Sequence, residues 1–492
     1  MQDTPQKGMS RRNLLAGIGA GAGLGGLLTA SAAQAALLPQ PAAAENFDVV
    51  VIGTGMAGCA AALEAASQGA RVAVVEKSAE SRAGGNSLLA GGYFAMPRTD
   101  AQADRDAYLE DFIKKGLGRG NREIYELMTA NARADVAWLA ANGIEFLPEA
   151  EMPPYRVAAA LVAPGAYMGM PRMMKNLRQT IAGKGAVFFY DTKARQLVMN
   201  ERGAVAGVRC VGNNGVVDYA AHAVVVAAGG YGGNTQILEA YSDPNAGAMM
   251  VRGVPWATGD GLTMALAAGA GLKGMGGLGA LHVAAVDELE TAAGNPFAAL
   301  PHGLAVNREG RRFIDESRGY VAHGKAVLGQ PGQRSTLIFD EKVKALPGPA
   351  SALATFQRLG IRTYEADTLE ELAAAVGIPA EALVETVRAF NEAVEGEAAP
   401  GANPPKAGLA LRIDTPKFYA FHPLAPGITL TFGGIMIDAR ARVLEPDGRV
   451  IPGLFAAGEG AGAVFFDDYV GGGSLTNCLV MGRVAGREAT AT

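Results

Sequence analysis

The run Gly53-Thr54-Gly55-Met56-Ala57-Gly58 constrains this chain more than any other, because of what stands on either side of it. Before it comes Phe47-Asp48-Val49-Val50-Val51-Ile52, a β-branched run suited to a strand buried on both faces. After it, an Ala-rich segment from Cys59 to Gln68 has helical character, and a second apolar strand from Arg71 to Val75 ends at Glu76. Strand, glycine turn, helix, strand and acid in this order make a dinucleotide-binding βαβ unit. Gly53 and Gly55 permit a tight turn and let a pyrophosphate approach the helix N-terminus, where free N–H groups and the helix dipole favour an anion. Gly58 and Ala61 let the helix pack close to the sheet. Glu76 is expected to accept hydrogen bonds from ribose hydroxyls, and its charge disfavours a 2′-phosphate. The competing reading is a tight turn without a ligand.

Bulk numbers narrow the classes further. Gly is 67 of 492 residues, about twice the usual share. Collagen is excluded because the glycines follow no three-residue period. With 49% hydrophobic and only 18% charged residues, the chain is not a disordered one. Basic and acidic residues number 43 and 48, for a net charge of -5 with no long run of either sign, which argues against a nucleic-acid partner. Cys59, Cys210 and Cys478 form no CxxC or CxxCH, so paired metal ligands, c-type haem and a disulfide framework lack support.

Residues 1–35 resemble a twin-arginine export signal: Ser10-Arg11-Arg12-Asn13-Leu14-Leu15, a Gly/Ala/Leu stretch, then Ala33-Gln34-Ala35 as a cleavage site. A membrane anchor is the competing reading, but the six glycines between Gly17 and Gly26 make a poor spanning helix. The expectation is a periplasmic protein with no stable membrane span, exported already folded around a tightly bound redox cofactor. A Pro/Ala-rich linker covers 36–46.

More glycine motifs follow: Gly84-Gly85-Asn86-Ser87, Gly91-Gly92, Val224-Val225-Val226-Ala227-Ala228-Gly229-Gly230 and Thr258-Gly259-Asp260-Gly261. Asn307-Arg308-Glu309-Gly310-Arg311-Arg312-Phe313, Ala456-Ala457-Gly458-Glu459 and Asp468-Tyr469-Val470-Gly471-Gly472-Gly473-Ser474-Leu475 complete the set. Together they resemble the flavoprotein family of fumarate reductase and succinate dehydrogenase, from about Phe47 to Arg487. That resemblance implies an α/β fold: a Rossmann-like FAD-binding domain of the GR2 type with an inserted α+β cap. The FAD-binding parts are expected over 47–280 and 427–492, with the cap over 281–426. It further implies FAD contacts from Gly53, Gly55, Met56, Ala57, Gly58, Glu76, Lys77, Gly84, Gly85, Asn86, Ser87, Gly91, Gly92, Ala194, Ala228, Gly229, Asp260, Glu459, Ser474 and Leu475. Gly85 stands about where the membrane complexes carry a histidine linked to FAD, so the cofactor is expected to be non-covalent. Inside the cap, Thr368-Leu369-Glu370-Glu371 is a capping box, and Ala380 to Ala393 reads as a second packing helix.

The family holds a dicarboxylate between arginines and histidines, and this sequence departs from that pattern. Tyr469 stands where the carboxylate-binding arginine belongs, Leu430 replaces the second substrate histidine, and Tyr320 falls at the proton-donating arginine by gapless counting. His282 alone is retained, allowing one inserted residue. A loop insertion would instead bring Arg318 to the active position. Two branches of the wider superfamily resemble this pattern: 3-ketosteroid dehydrogenases, through a tyrosine shortly before paired glycines, and tricarballylate dehydrogenase-like proteins, through Pro426 to Thr431 and the cap.

Exchanging C–C for C=C beside a carbonyl needs hydride exchange at the flavin and proton exchange at the neighbouring carbon. A tyrosine, with an ordinary pKa near 10, serves as the base only if cations or a helix dipole lower it. Arg318, His323 and Lys325 flank Tyr320, and a helix starting at Gly472 to Leu475 would serve Tyr469. Each candidate keeps a second reading: Tyr469 as packing on the flavin edge, His282 as a core histidine. Trp138, Trp256 and His222 read as structural, while His302 and His422 remain unassigned.

The expected activity is that of an FAD-dependent oxidoreductase acting on a CH–CH bond beside a carbonyl or carboxylate. The alternatives are an enoate reductase fed by an external cytochrome or quinone-linked carrier, and a flavin electron-transfer subunit without turnover.

Overall fold

The computed structural model describes residues 45–152, 155–277, 279, 281–285, 294–462 and 464–492. The export segment 1–35 and residues 36–44 of the linker lie outside the described residues.

The β-branched run forms strand β1 (Glu45–Ile52), in which Val49, Val50 and Val51 have no solvent exposure. Helix α1 (Met56–Ser67) starts immediately after Gly55, and β2 (Val72–Val75) pairs parallel with β1, Val49 opposite Val72. Strand β3 (Val187–Phe189) extends the sheet beyond β2, and β4 (Gly215–Val226) lies on the other side of β1. Strand β5 (Val450–Ala456) returns from late in the chain to pair parallel with the end of β4, Leu454 opposite Val224. The central order is β5-β4-β1-β2-β3, all parallel, and β2 and the C-terminal halves of β1, β4 and β5 are buried as runs rather than in alternation. Helix α2 (Gly473–Thr490) packs on α1 so closely that a Cβ on Gly482 would lie 2.5 Å from the Ala57 carbonyl oxygen, and one on Gly486 2.3 Å from that of Ala61.

A second core lies between Ala285 and Leu424 and includes Leu304, Ile338, Phe339, Phe356 and Phe421. Its sheet is mostly antiparallel: Leu304–Asn307, Ser335–Asp340 and Phe418–Ile428 are successive neighbours, and Leu281–Ala285 and Tyr364–Ala366 also pair with Phe418–Ile428. The helix Leu369–Val376 opens with the expected reciprocal cap between Thr368 and Glu371, and Ala380–Ala393 buries Leu383, Val387 and Phe390 at helical spacing. Strand Phe418–Ile428 runs through the boundary expected at 426/427, and Gly427 and Ile428 pair with Met250 and Val251. Sheet pairing on both sides carries the strand through Pro426-Gly427.

The run Asn307 to Phe313 has a plain physical account. The Asn307 side-chain oxygen accepts from the backbone N–H groups of Glu309 and Arg311 at 3.0 and 3.1 Å, closing a turn in which Gly310 has φ +74°. The turn aims Arg312 inward, where it pairs with the unexposed Glu316 at 2.9 Å. Lys406 stands 3.7 Å from the same carboxylate, and burial draws its pKa down to about 8.

Two histidines, His323 buried and His422 half-buried, make stability depend on pH. His323 has no exposure and neither ring nitrogen has a partner, and burial lowers its pKa from 6.5 to about 4. Burial likewise lowers His422 to about 4. Below 6.5 the unfolded chain takes up protons that the native protein refuses until about pH 4, so stability is lost as pH falls through that window. Urea unfolding at pH 7 and pH 4.5 measures the loss, and His323→Leu should flatten it; an unchanged slope would remove His323 from the account.

Candidate active site

The C-terminal ends of β1, β2, β4 and β5 open on one cavity of about 740 Å³, where ligands of parallel α/β sheets bind. Of the residues expected to meet the cofactor, all but Gly58, Gly84 and Gly92 line it. The glycines of the first turn divide by role. Gly53 has φ +106°, and a Cβ there would meet the Ala227 carbonyl oxygen at 2.4 Å; one on Gly58 would lie 2.0 Å from the Gly53 oxygen. Both are demanded by packing of the turn itself. A Cβ on Gly55, by contrast, would approach no protein atom closer than 3.6 Å, so close approach is kept there for a ligand.

Helices α1 and α2 begin without a side-chain cap, at Gly55 and Gly472, and their first residues line the cavity. Two uncapped N-termini in one cavity fit an anionic dinucleotide. The Glu76 carboxylate is fixed at the end of β2: one oxygen accepts from the Thr54 N–H and hydroxyl at 3.1 and 2.5 Å, the other from the Ser78 N–H and hydroxyl at 2.9 and 2.8 Å. Asn86 donates to Glu459 at 2.8 Å, and Thr431 N–H donates to the other oxygen of Glu459 at 2.9 Å. Burial raises the pKa of Glu459 despite these donors. Lys77 and Lys193 lie 2.6 and 2.8 Å from Asp260. Burial alone would raise Asp260, but the two lysines outweigh it and hold its pKa below the usual value.

Tyr320, Tyr469 and Arg318 also line the cavity. The Tyr320 hydroxyl donates to that of Tyr469 across 3.5 Å, joining two elements 149 residues apart. Tyr469 packs edge-on against Phe432 and tilted against Phe465, just before the start of α2. The expected activation of Tyr320 is not what the structure has. Burial, with Tyr469 adding to it, pushes the Tyr320 pKa well above 10. Lys325 is tied to Asp467 at 2.9 Å, and His323 is a buried neutral ring outside the cavity lining. The backbone of His282 pairs with Gly427 in Leu281–Ala285, but its side chain lies outside what is described.

Several residues without a motif join the site. Lys115, the last residue of helix Gln102–Lys115, lies 2.6 Å from Asp468 and 5.5 Å from the centre of the Tyr155 ring, and all three line the cavity. Trp256, read above as structural, lines it too, with Arg82 stacked 5.6 Å from its ring centre. Among the described residues there is no cluster fit to hold a metal and no helix long and apolar enough to cross a membrane.

Known proteins resemble this chain in sequence and in fold. The FAD binding domain family matches residues 48–475. The cytochrome fumarate reductase of Shewanella frigidimarina is 30% identical over 466 residues, covering 93% of this chain and 79% of that protein. The open form of a flavocytochrome c3 fumarate reductase superposes with a TM-score of 0.75 at 28% identity, over 94% of this chain and 80% of that one. The 3-ketosteroid Δ1-dehydrogenase of Sterolibacterium denitrificans superposes with a TM-score of 0.74 at 22% identity, over 91% of this chain and 100% of that one.

Proposed function

This chain belongs to the FAD binding domain family, with FAD as its cofactor, and on that premise we propose that it interconverts a C–C and a C=C bond beside a carbonyl or carboxylate. The turn from Gly53 to Ala57 and the start of α1 would hold the pyrophosphate, and Glu76 the ribose. Asn86, Ser87, Glu459 and the start of α2 would line the rest of the cofactor. Binding is read as non-covalent, from Gly85 at the position of the family's linked histidine. Bound there, FAD would supply the hydride exchange with the substrate.

The chain's own task is then the proton, and the observation that carries the proposal is the Tyr320–Tyr469 contact of 3.5 Å in the cavity wall. Tyr320, held neutral by burial, keeps its O–H as a hydrogen-bond donor. Tyr469 is the partner that takes up or returns the proton at the carbon beside the carbonyl, and the Tyr320 hydroxyl supports charge that develops on it. In this reading Arg318 binds substrate rather than carrying the proton.

In this proposal electrons enter or leave through a separate cytochrome or quinone-linked carrier. Whether the cell uses the dehydrogenase or the reductase direction follows from that carrier's potential. The twin-arginine segment supports a periplasmic location.

Anaerobic mixing with saturated acids and ketones, and of the reduced protein with their unsaturated partners, tests the proposal at the flavin absorbance band. Bleaching in one direction or recovery in the other is expected. A flavin inert to every pair that still exchanges electrons with a cytochrome would replace the enzyme reading with that of an electron carrier.

A further inference from the structure

Four cationic side chains line the cavity among the described residues, and they are not equivalent. Lys77 and Lys193 are neutralised by Asp260, and Lys115 by Asp468. Arg318 has no carboxylate within salt-bridge distance among the described residues, although two acids, Asp315 and Glu316, stand three and two positions before it in sequence. Both are turned elsewhere. Asp315 accepts from the Ser317 N–H and hydroxyl at 3.0 and 2.6 Å and from the Ala407 N–H at 3.2 Å. Glu316 is buried with Arg312 and Lys406. The turn Glu316–Arg318 therefore presents a cation to the cavity and withholds the anions beside it.

Around Arg318 the cap wall is mostly apolar: Phe297, Pro301, Val321 and Leu409 line it beside Ser317 and Tyr320, and Phe297 is 57% exposed. Asn295, in the same wall, has a buried amide oxygen without a hydrogen-bond partner. A wall whose one cation has no carboxylate partner among the described residues, and whose remainder is mostly apolar, is matched by a ligand with one negative charge and a largely apolar body.

We propose that the substrate is a monocarboxylate, a 2-enoate or the corresponding saturated acid with an apolar body, whose carboxylate pairs with Arg318. The proposal rests on the reaction class given above and specifies its substrate. A dicarboxylate would set its second charge against apolar atoms, which is costly without a partner. A neutral ketone would fit the apolar wall and leave Arg318 to water.

Titration calorimetry on the oxidised, FAD-loaded protein separates these cases, because oxidised flavin does not turn over an unsaturated ligand. Cinnamate and benzalacetone share an apolar body and differ in charge; fumarate carries the second carboxylate. Cinnamate is expected to bind at least about tenfold more tightly than either of the others, the scale of a charge-assisted contact in a half-open site. Arg318→Met should erase that preference at unchanged flavin content, and Arg318→Lys should keep part of it. The proposal is overturned by fumarate or benzalacetone binding as tightly as cinnamate, by no cinnamate binding, by a preference that survives Arg318→Met, or by loss of FAD from that variant. Failure of the reaction class has a separate signature: reduced flavin that none of the three ligands reoxidises, whatever the binding order.

Discussion

Tyr469→Phe is expected to lower turnover by about a hundredfold or more, the usual scale for removing a positioned acid or base, while FAD content stays at the wild-type level. The substitution removes one oxygen and nothing else. The ring keeps its contacts with Phe432 and Phe465, at 5.9 and 5.8 Å between centres, and the backbone still starts α2 through Gly472. What is lost is the acceptor of the Tyr320 hydroxyl, 3.5 Å away. Tyr320→Phe should also slow the reaction, and the double variant should be little slower than Tyr469→Phe alone, since both tyrosines act on one proton. Stopped-flow reduction and reoxidation of the flavin separate this from an effect on electron delivery. A Tyr469→Phe protein with the wild-type rate would leave Tyr469 as packing on the flavin edge.

What the sequence made legible here follows from how local each feature is. The βαβ unit could be read because its elements are contiguous: β1, the glycine turn, α1, β2 and Glu76 fall within residues 45–76, and packing demands on Gly53 and Gly58 leave a visible mark. Tyr469 was visible as a departure from a pattern, at a fixed offset from the glycines that begin α2. The surroundings of Tyr320 were not. His323 lies three positions on along helix Tyr320–Leu328, where sequence spacing suggests a neighbour, yet it packs edge-on to Phe313 in the cap while Lys325 reaches across to Asp467. Spacing along a helix says which side chains share a face and nothing about what covers that face, and burial reversed the expected direction of the Tyr320 pKa. Lys115 was illegible for a related reason. A lysine ending a helix is ordinary dipole compensation until the fold sets it 2.6 Å from Asp468, 353 residues away.

Two alanine substitutions in the first glycine turn are expected to fail in different ways. Gly55→Ala should leave the apoprotein as stable as the wild type but lower its affinity for FAD by more than about tenfold. The φ of Gly55 is -65°, which alanine adopts freely, and its Cβ would meet protein only at ordinary contact distances, Ser87 at 3.6 Å and Gly84 at 3.7 Å. The methyl group instead occupies space where the pyrophosphate must approach the backbone, and each lost charge-assisted hydrogen bond there is worth about tenfold or more. Gly58→Ala should damage both properties. Its Cβ would stand 2.0 Å from the Gly53 carbonyl oxygen and 3.4 Å from Ala227, so the turn must move off the end of β4, at an overpacking cost of about 1–3 kcal/mol before any ligand binds. Thermal unfolding of the flavin-free proteins, read beside FAD titration, distinguishes the two. If Gly55→Ala lost stability as Gly58→Ala does, the second glycine would be a packing residue like the first and third, and the open face of the turn would no longer mark where the cofactor's phosphates lie.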